Sequence, residues 1–322
     1  VDISAQKLRD RLRGRLIAAA ATPMTAAGEV DLDVAETYFR RLTASGADAL
    51  AVLAHTGRGP YLTPDVRAGL IARAVATGVP VIVGVGGTAP AAPPGTPSPG
   101  TAAPGAGAVS PGAAGETGER ARVAEQARVA AELGADGVLV FPSAGDRVVL
   151  HEAVWRAAGL PMIAFDLYTL PCPPDTLREI VRHPGVAGLK TALLSDAMGC
   201  QETIALTREA GRLAITGEDR MFGPSLLWGA EAALVGIAAA RVEVTAGVLR
   251  AFAGSDLRAF ERASAELDAL AAVTFTAPME GYVRRMLWLA AAEGLIPETH
   301  AHDPFGPPLG EREHAALAAV LP

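Results

Sequence analysis

Of 28 basic residues only two are lysines, Lys7 and Lys190, and the second stands inside the apolar run VAGLKTALLSD (186–196). Burial disfavours an ammonium and draws a lysine pKa down from about 10.4 towards roughly 7–8. A neutral amine is a nucleophile that adds to a ketone, expels water and leaves a Schiff base. The iminium then pulls electrons from the adjoining carbon, which opens aldol cleavage, aldol condensation or loss of water. Arginine stays protonated and cannot do this. That would explain a lysine surviving in a chain that writes nearly every other positive charge as arginine. The structural alternative is a buried lysine paired with an internal carboxylate such as Glu218 or Asp219, and residue usage alone leaves both readings open.

Other side chains could handle protons or polar substrate groups. The run TGEDR sets Gly217, Glu218, Asp219 and Arg220 side by side. They suit substrate hydroxyls or a distal carboxylate, and equally an internal salt-bridge cluster. A metal-dependent lyase or hydrolase built on Glu218 and Asp219 is the rival chemistry. His55 can donate a hydrogen bond or shuttle a proton, or is simply polar at a strand end. The remaining histidines show no ligand spacing beyond a weak His300-x-His302 pair, and Cys172 and Cys200 match neither a zinc motif nor a disulfide framework. No metal or cofactor is implied. In PMEGYVRRMLW the early Glu280 and late Arg284 and Arg285 follow ordinary helix-dipole logic, so this stretch, Tyr282 included, reads as structural.

These groups need a scaffold. Eight β-rich runs recur at 16–21, 49–55, 79–85, 137–141, 161–167, 186–192, 213–217 and 233–238, with helical patterns between them. LTPDVRAGLIARAVATG carries Thr63 as N-cap, Pro64 at the first helical position and Gly78 as the stop. Eight alternating βα units predict a closed (β/α)8 TIM barrel, α/β in class, with reacting groups at the C-terminal ends of its strands. An open doubly wound sheet would carry a phosphate loop after its first strand, and AAAATPMTAAGEV is not one. The barrel is assigned to 1–240. A Pro/Ala/Gly-rich insertion at 88–115, without charge or period, reads as disordered. Residues 241–322 form a C-terminal helical extension packed on the barrel, with Ser255 expected to cap one of its helices.

A net charge of −7 excludes a general nucleic-acid or anionic-membrane binder. No apolar run reaches the roughly 20 residues of a membrane span. RLRGRLIAAAATPMTAAG has the outline of a signal peptide, but the recurrence of such runs favours a first buried strand. A reduced, cytoplasmic setting is expected.

In order and spacing, the chain resembles the dihydrodipicolinate synthase/N-acetylneuraminate lyase superfamily of class I aldolases over nearly its whole length apart from the insertion. AAAATPMTAAGEVDLD resembles that family's first strand and loop, PVIVGVG its third strand, GVAGLKTA its Schiff-base strand and ITGEDRMFGPSLLWGAEAALVG its seventh and eighth strand region. The resemblance implies that Lys190 is the imine-forming lysine and that a 2-oxo acid such as pyruvate is the substrate. It also implies assembly as a homodimer or homotetramer. LAVLAHTGRGPYLTPDVR resembles the family's carboxylate loop, usually GTTGE, so Thr56 and Gly57 would hold the substrate carboxylate. His55 replaces the first threonine, and Arg58 the glutamate. AFDLYTLP resembles the fifth strand, usually Y-N-x-P, with Phe165 in place of the proton-relaying tyrosine and Asp166 in place of asparagine. Tyr168 would face away on a regular strand and reaches the site only if the strand ends before it. With Phe165 there, dihydrodipicolinate synthesis itself is not the expected reaction. The expectation is a lysine-imine lyase on a 2-oxo acid. In it Lys190 is the nucleophile, His55 or Tyr168 moves protons, and Thr56, Gly57, Phe165, Gly217, Glu218 and Asp219 surround the substrate. A barrel that binds a metabolite without turning it over is the non-catalytic rival.

Overall fold

Runs that are apolar on both faces suit strands covered on both sides. In the computed structural model, which describes residues 1–87, 113–254 and 256–318, eight such strands are present. They are β1 (Leu16–Ala19), β2 (Ala49–Val52), β3 (Val81–Val85), β4 (Gly137–Val140), β5 (Met162–Leu167), β6 (Val186–Ala192), β7 (Leu213–Thr216) and β8 (Ala232–Val235). All neighbours pair in parallel, and β8 returns to β1 through Leu16 opposite Ala233, closing the ring. The (β/α)8 barrel expected from the sequence is therefore the fold.

A helix α1 (Ile3–Leu12), not anticipated from the sequence, precedes the ring. Its Ala5, Leu8 and Leu12 join Ile17, Ile163 and Leu234 in the core inside the barrel, so α1 plugs one end. The strands are followed in turn by α2 (Leu32–Ala44), α3 (Pro64–Val75), α4 (Ala113–Glu132), α5 (Arg147–Ala158), α6 (Pro174–Arg182), α7 (Ala197–Glu209), α8 (Phe222–Leu227) and α9 (Val242–Ala253). Their apolar faces and the outward strand residues, such as Leu50, Val83 and Val138, form the second core. The chain continues through α10 (Leu257–Thr274), α11 (Tyr282–Ala292) and α12 (Glu311–Ala318). Among the described residues no helix is long and apolar enough to cross a membrane.

Local end signals explain most boundaries. The Thr63 hydroxyl accepts the Val66 N–H at the start of α3, as read from the sequence. The cap of α10 is Asp256, whose carboxylate accepts the Arg258 and Ala259 N–H groups; Ser255, the expected cap, lies outside the described residues. So do 88–112 of the expected insertion, while 113–115 already belong to α4.

Strand β6 needs one correction. A regular strand would point Lys190 the same way as Val186 and Gly188. The pairing with β5 slips between Met162 and Ile163, which face Val186 and Gly188, so Ala187 is an extra residue. Val186 therefore packs in the outer core and Ala187 in the inner one. Lys190, opposite Phe165, keeps the inward face of Gly188.

Candidate active site

Lys190 is only 5% exposed. Its Nζ lies 4.2 Å from the centre of the Phe165 ring, and among the described residues no hydrogen bond or ion pair to it is formed. Burial pushes its pKa down to about 8, partly opposed by the nearby charges of Asp219 and Glu218. The lysine stem rests on Gly217: a Cβ there would lie 2.3 Å from Lys190 Cε. Gly217 thus acts on the site by making room for the lysine.

The two carboxyls after β7 are engaged with backbone. Glu218 Oε1 accepts the Leu193 N–H at 2.5 Å and Oε2 the Leu194 N–H at 3.0 Å. This anchors the loop after β6, where Leu194 has a left-handed φ of 58°. Glu218 thus anchors that loop, and it is not among the residues bordering the cavity that holds Lys190. Asp219 Oδ1 accepts the Ile237 N–H at 2.7 Å, but its side chain does border the cavity holding Lys190. Burial raises both pKa values to about 7. Neither forms the ion pair with Lys190 that was the structural alternative. Among the described residues no group of three or more His, Cys, Asp or Glu is placed to hold a metal.

After β2 the chain turns sharply at Leu53, whose φ is 58°. Gly59 and Gly84 make the turn possible, since a Cβ on either would sit 2.1 or 2.2 Å from Leu53 O. The turn projects His55 and Thr56 over the ring, and the Thr22 hydroxyl ties down Gly57 O at 2.7 Å. Among the described residues the Thr56 and Gly57 N–H groups have no acceptor, which leaves two adjacent donors for an anion. His55 Nε2 is 3.5 Å from Glu280 Oε1. Burial, opposed by Glu280, pushes the His55 pKa down to about 4.

Strand β5 ends at Leu167, which frees Tyr168 from the strand alternation. Its N–H is held by Ala192 O at 2.9 Å, its side chain leans over the ring, and its hydroxyl donates to Glu280. Phe165 forms a wall, edge-on to Phe141 at 5.6 Å. Asp166 faces outward and ties the following loop through the Cys172 N–H at 2.8 Å.

Sequence reasoning missed what the C-terminal extension contributes. Arg58, only 2% exposed, donates to Asp303 at 3.2 and 2.7 Å and to Glu280 Oε2 at 2.8 Å. Arg285 holds the carbonyls of Thr276 at 2.9 Å and Pro278 at 3.2 Å. So pinned, the stretch 276–282 carries Glu280 and Tyr282 to the barrel mouth. The signal in the sequence was Arg58 itself, because a buried guanidinium needs carboxylates from elsewhere in the chain. Lys190, Asp219, His55, Thr56, Tyr168 and Tyr282 border one narrow cavity of about 30 Å³. A larger groove lies outside the ring between α6 and α7, bordered by Arg178 and Thr203, and Lys190 is not among its walls.

Three comparisons bear on this arrangement. Residues 12–95 match the model of the dihydrodipicolinate synthetase family. Over 277 residues the chain is 30% identical to the 4-hydroxy-tetrahydrodipicolinate synthase of Mycolicibacterium gilvum (strain PYR-GCK), covering 80% of this chain and 78% of that protein. In structure it resembles YagE, a prophage protein of the dihydrodipicolinic acid synthase family from E. coli K12 solved with pyruvate. The TM-score is 0.77 at 19% identity, over 95% of this chain and 96% of that one. It also resembles the N-acetylneuraminate lyase of Mycoplasma synoviae, with a TM-score of 0.74 at 14% identity over 97% of both chains.

Proposed function

The chain belongs to the dihydrodipicolinate synthetase family, and from that membership we propose that it is a class I aldolase-type lyase whose Lys190 forms a Schiff base with pyruvate or another 2-oxo acid. The observation that carries the reading is an unpaired, buried amine at the mouth of the ring, with a pKa near 8, facing a cavity. At pH 7 about a tenth of such an amine is neutral, against roughly one in three thousand for a free lysine.

In this reading the 2-oxo acid enters carboxylate first. The free N–H groups of Thr56 and Gly57 receive that carboxylate. Its carbonyl carbon then faces Lys190 Nζ, which adds to it, and the carbinolamine loses water to become an iminium. Phe165 keeps the amine dry. His55 and Tyr168 serve the proton transfers, and Asp219 balances the positive charge. The iminium then draws electrons from the C3–C4 bond or the C3–H bond, giving carbon–carbon or carbon–oxygen lyase chemistry. Phe165 offers no proton, so the proposal does not extend to the synthesis for which the curated relatives are named. Assembly as a homodimer or homotetramer is part of the same expectation.

The test is borohydride reduction in the presence of pyruvate and a panel of longer 2-oxo acids, followed by peptide mass mapping, with Lys190→Ala as control. A reduced adduct on the Lys190 peptide is expected. Absence of any adduct across the panel, with the acid bound or not, would falsify the lyase reading.

A further inference from the structure

Imine formation, on whose assignment to Lys190 this inference rests, needs a proton at one point: the carbinolamine hydroxyl must gain one to leave as water. Phe165, over which the amine lies, has none to give. Tyr168 borders the cavity, but its hydroxyl donates to Glu280.

Tyr282 is placed differently. It borders the same cavity as Lys190, with its hydroxyl 3.2 Å from Thr56 Oγ1 and 3.2 Å from His55 Nδ1. Its ring is held by stacking on Phe275 at 4.7 Å. Gly236 leaves the space for this pair: a Cβ there would lie 3.0 Å from Tyr282 Cε2 and 2.9 Å from Thr56 Oγ1. Burial and the charge of Glu280 keep the phenol protonated. On its far side His55 Nε2 stands 3.5 Å from Glu280, whose side chain is 39% exposed and so reaches solvent. An unbroken line of exchangeable groups therefore runs from solvent at Glu280 through His55 and Tyr282 to Thr56.

We propose that Tyr282, supplied by the C-terminal extension, is the central hydroxyl of a proton relay that dehydrates the carbinolamine on Lys190. A proton arrives at His55 Nε2 beside the Glu280 carboxylate, and the Nδ1 proton passes to Tyr282 Oη. Tyr282 gives its own proton to Thr56 Oγ1, and Thr56 gives its hydroxyl proton to the departing oxygen. The C–O bond breaks, water leaves, and the nitrogen lone pair closes the C=N bond. One proton enters and one leaves in the water. Tyr282 and Thr56 end as they began, His55 ends as its other neutral tautomer, and the positive charge resides on the iminium.

The probe is pyruvate, followed by the rate of borohydride-trappable adduct and by deuterium uptake at its methyl group in D₂O. Tyr282→Phe keeps the ring and removes the oxygen. Both rates are expected to fall about 100-fold, within the range of general acid–base catalysis. The pyruvate concentration for half-maximal rate should change less than about threefold, whereas a merely structural role would alter binding as well. The rate of the parent protein in mixed H₂O/D₂O should follow a bowed curve, because several protons move together. Tyr282→Phe at more than about a third of the parent rate overturns the relay while leaving the imine intact. If that variant does not fold, a straight-line isotope dependence in the parent overturns it instead. A parent that forms no adduct at all overturns the assignment of the site, and the relay with it.

Discussion

Replacing Lys190 by Met should stabilise the protein, and by an amount that depends on pH. The amine is buried, and its pKa is held at about 8 where an unfolded lysine has 10.5. That gap corresponds to about 3 kcal/mol. Below pH 8 both folded and unfolded chains carry the proton, and the full penalty weighs on the folded state. Between pH 8 and 10.5 the unfolded chain binds more protons than the folded one, so the stability of the parent climbs with pH. Above 10.5 the penalty is gone. Met has a similar length and no charge, and it suits a site walled by Phe165. At pH 6 the Asp219 and Glu218 carboxyls, with pKa values of about 7, are largely protonated. Losing the lysine charge therefore forfeits little attraction there. Urea unfolding at pH 6, 8 and 10 measures the difference from midpoints and slopes. Lys190→Met should exceed the parent by up to about 3 kcal/mol at pH 6, with the difference shrinking through pH 8 to 10. A variant equal to or weaker than the parent at pH 6 would mean that the ammonium is well satisfied in the fold, and the argument for a poised nucleophile would go with it.

Adduct formation with pyruvate should rise about tenfold per pH unit up to pH 8 and level off above it, because only the neutral amine reacts; trapping rates from pH 5.5 to 9.5 check this, and a flat profile contradicts it. Gly217→Ala would set a Cβ 2.3 Å from Lys190 Cε, so a stability loss of about 1–3 kcal/mol and a trapping rate down at least about tenfold are expected, read by urea unfolding and adduct mass. Arg58→Ala leaves the buried carboxylate of Asp303 unpaired and should cost about 3–5 kcal/mol in urea unfolding, with loss of adduct formation at temperatures where the fold persists.

The barrel was legible because its signals are local and repeated. Each strand is a short apolar run, and helix starts such as Thr63-Pro64 carry their own caps. Lys190 was legible for a related reason: a charge inside an apolar run stands out whatever the fold around it. The slip at Ala187 was not, since it is set by the register between two strands and not by the composition of either. Helix α1 was passed over because its apolar residues are few and spaced along a charged decapeptide, and only the open end of the ring gives Leu8 and Leu12 something to cover.

The rest of the site depends on pairings between residues more than 200 positions apart. Arg58 looks like an odd substitution until Asp303 and Glu280 meet it. Glu280 and Tyr282 look like parts of an ordinary helix start until that same arginine draws them over the strands. Dipole logic correctly described the helix and still misplaced the tyrosine, because the groups that specify its position lie on the far side of the chain. Glu218 is instead engaged by its nearest backbone. A carboxylate at a strand end on the reactive face has the appearance of a substrate ligand, but unpaired amides at 193 and 194 compete for it. Burying a peptide N–H without an acceptor costs about 1–3 kcal/mol, so the backbone takes both oxygens. Where a polar residue near a reaction centre can satisfy strained backbone nearby, that local demand decides its role before any substrate arrives.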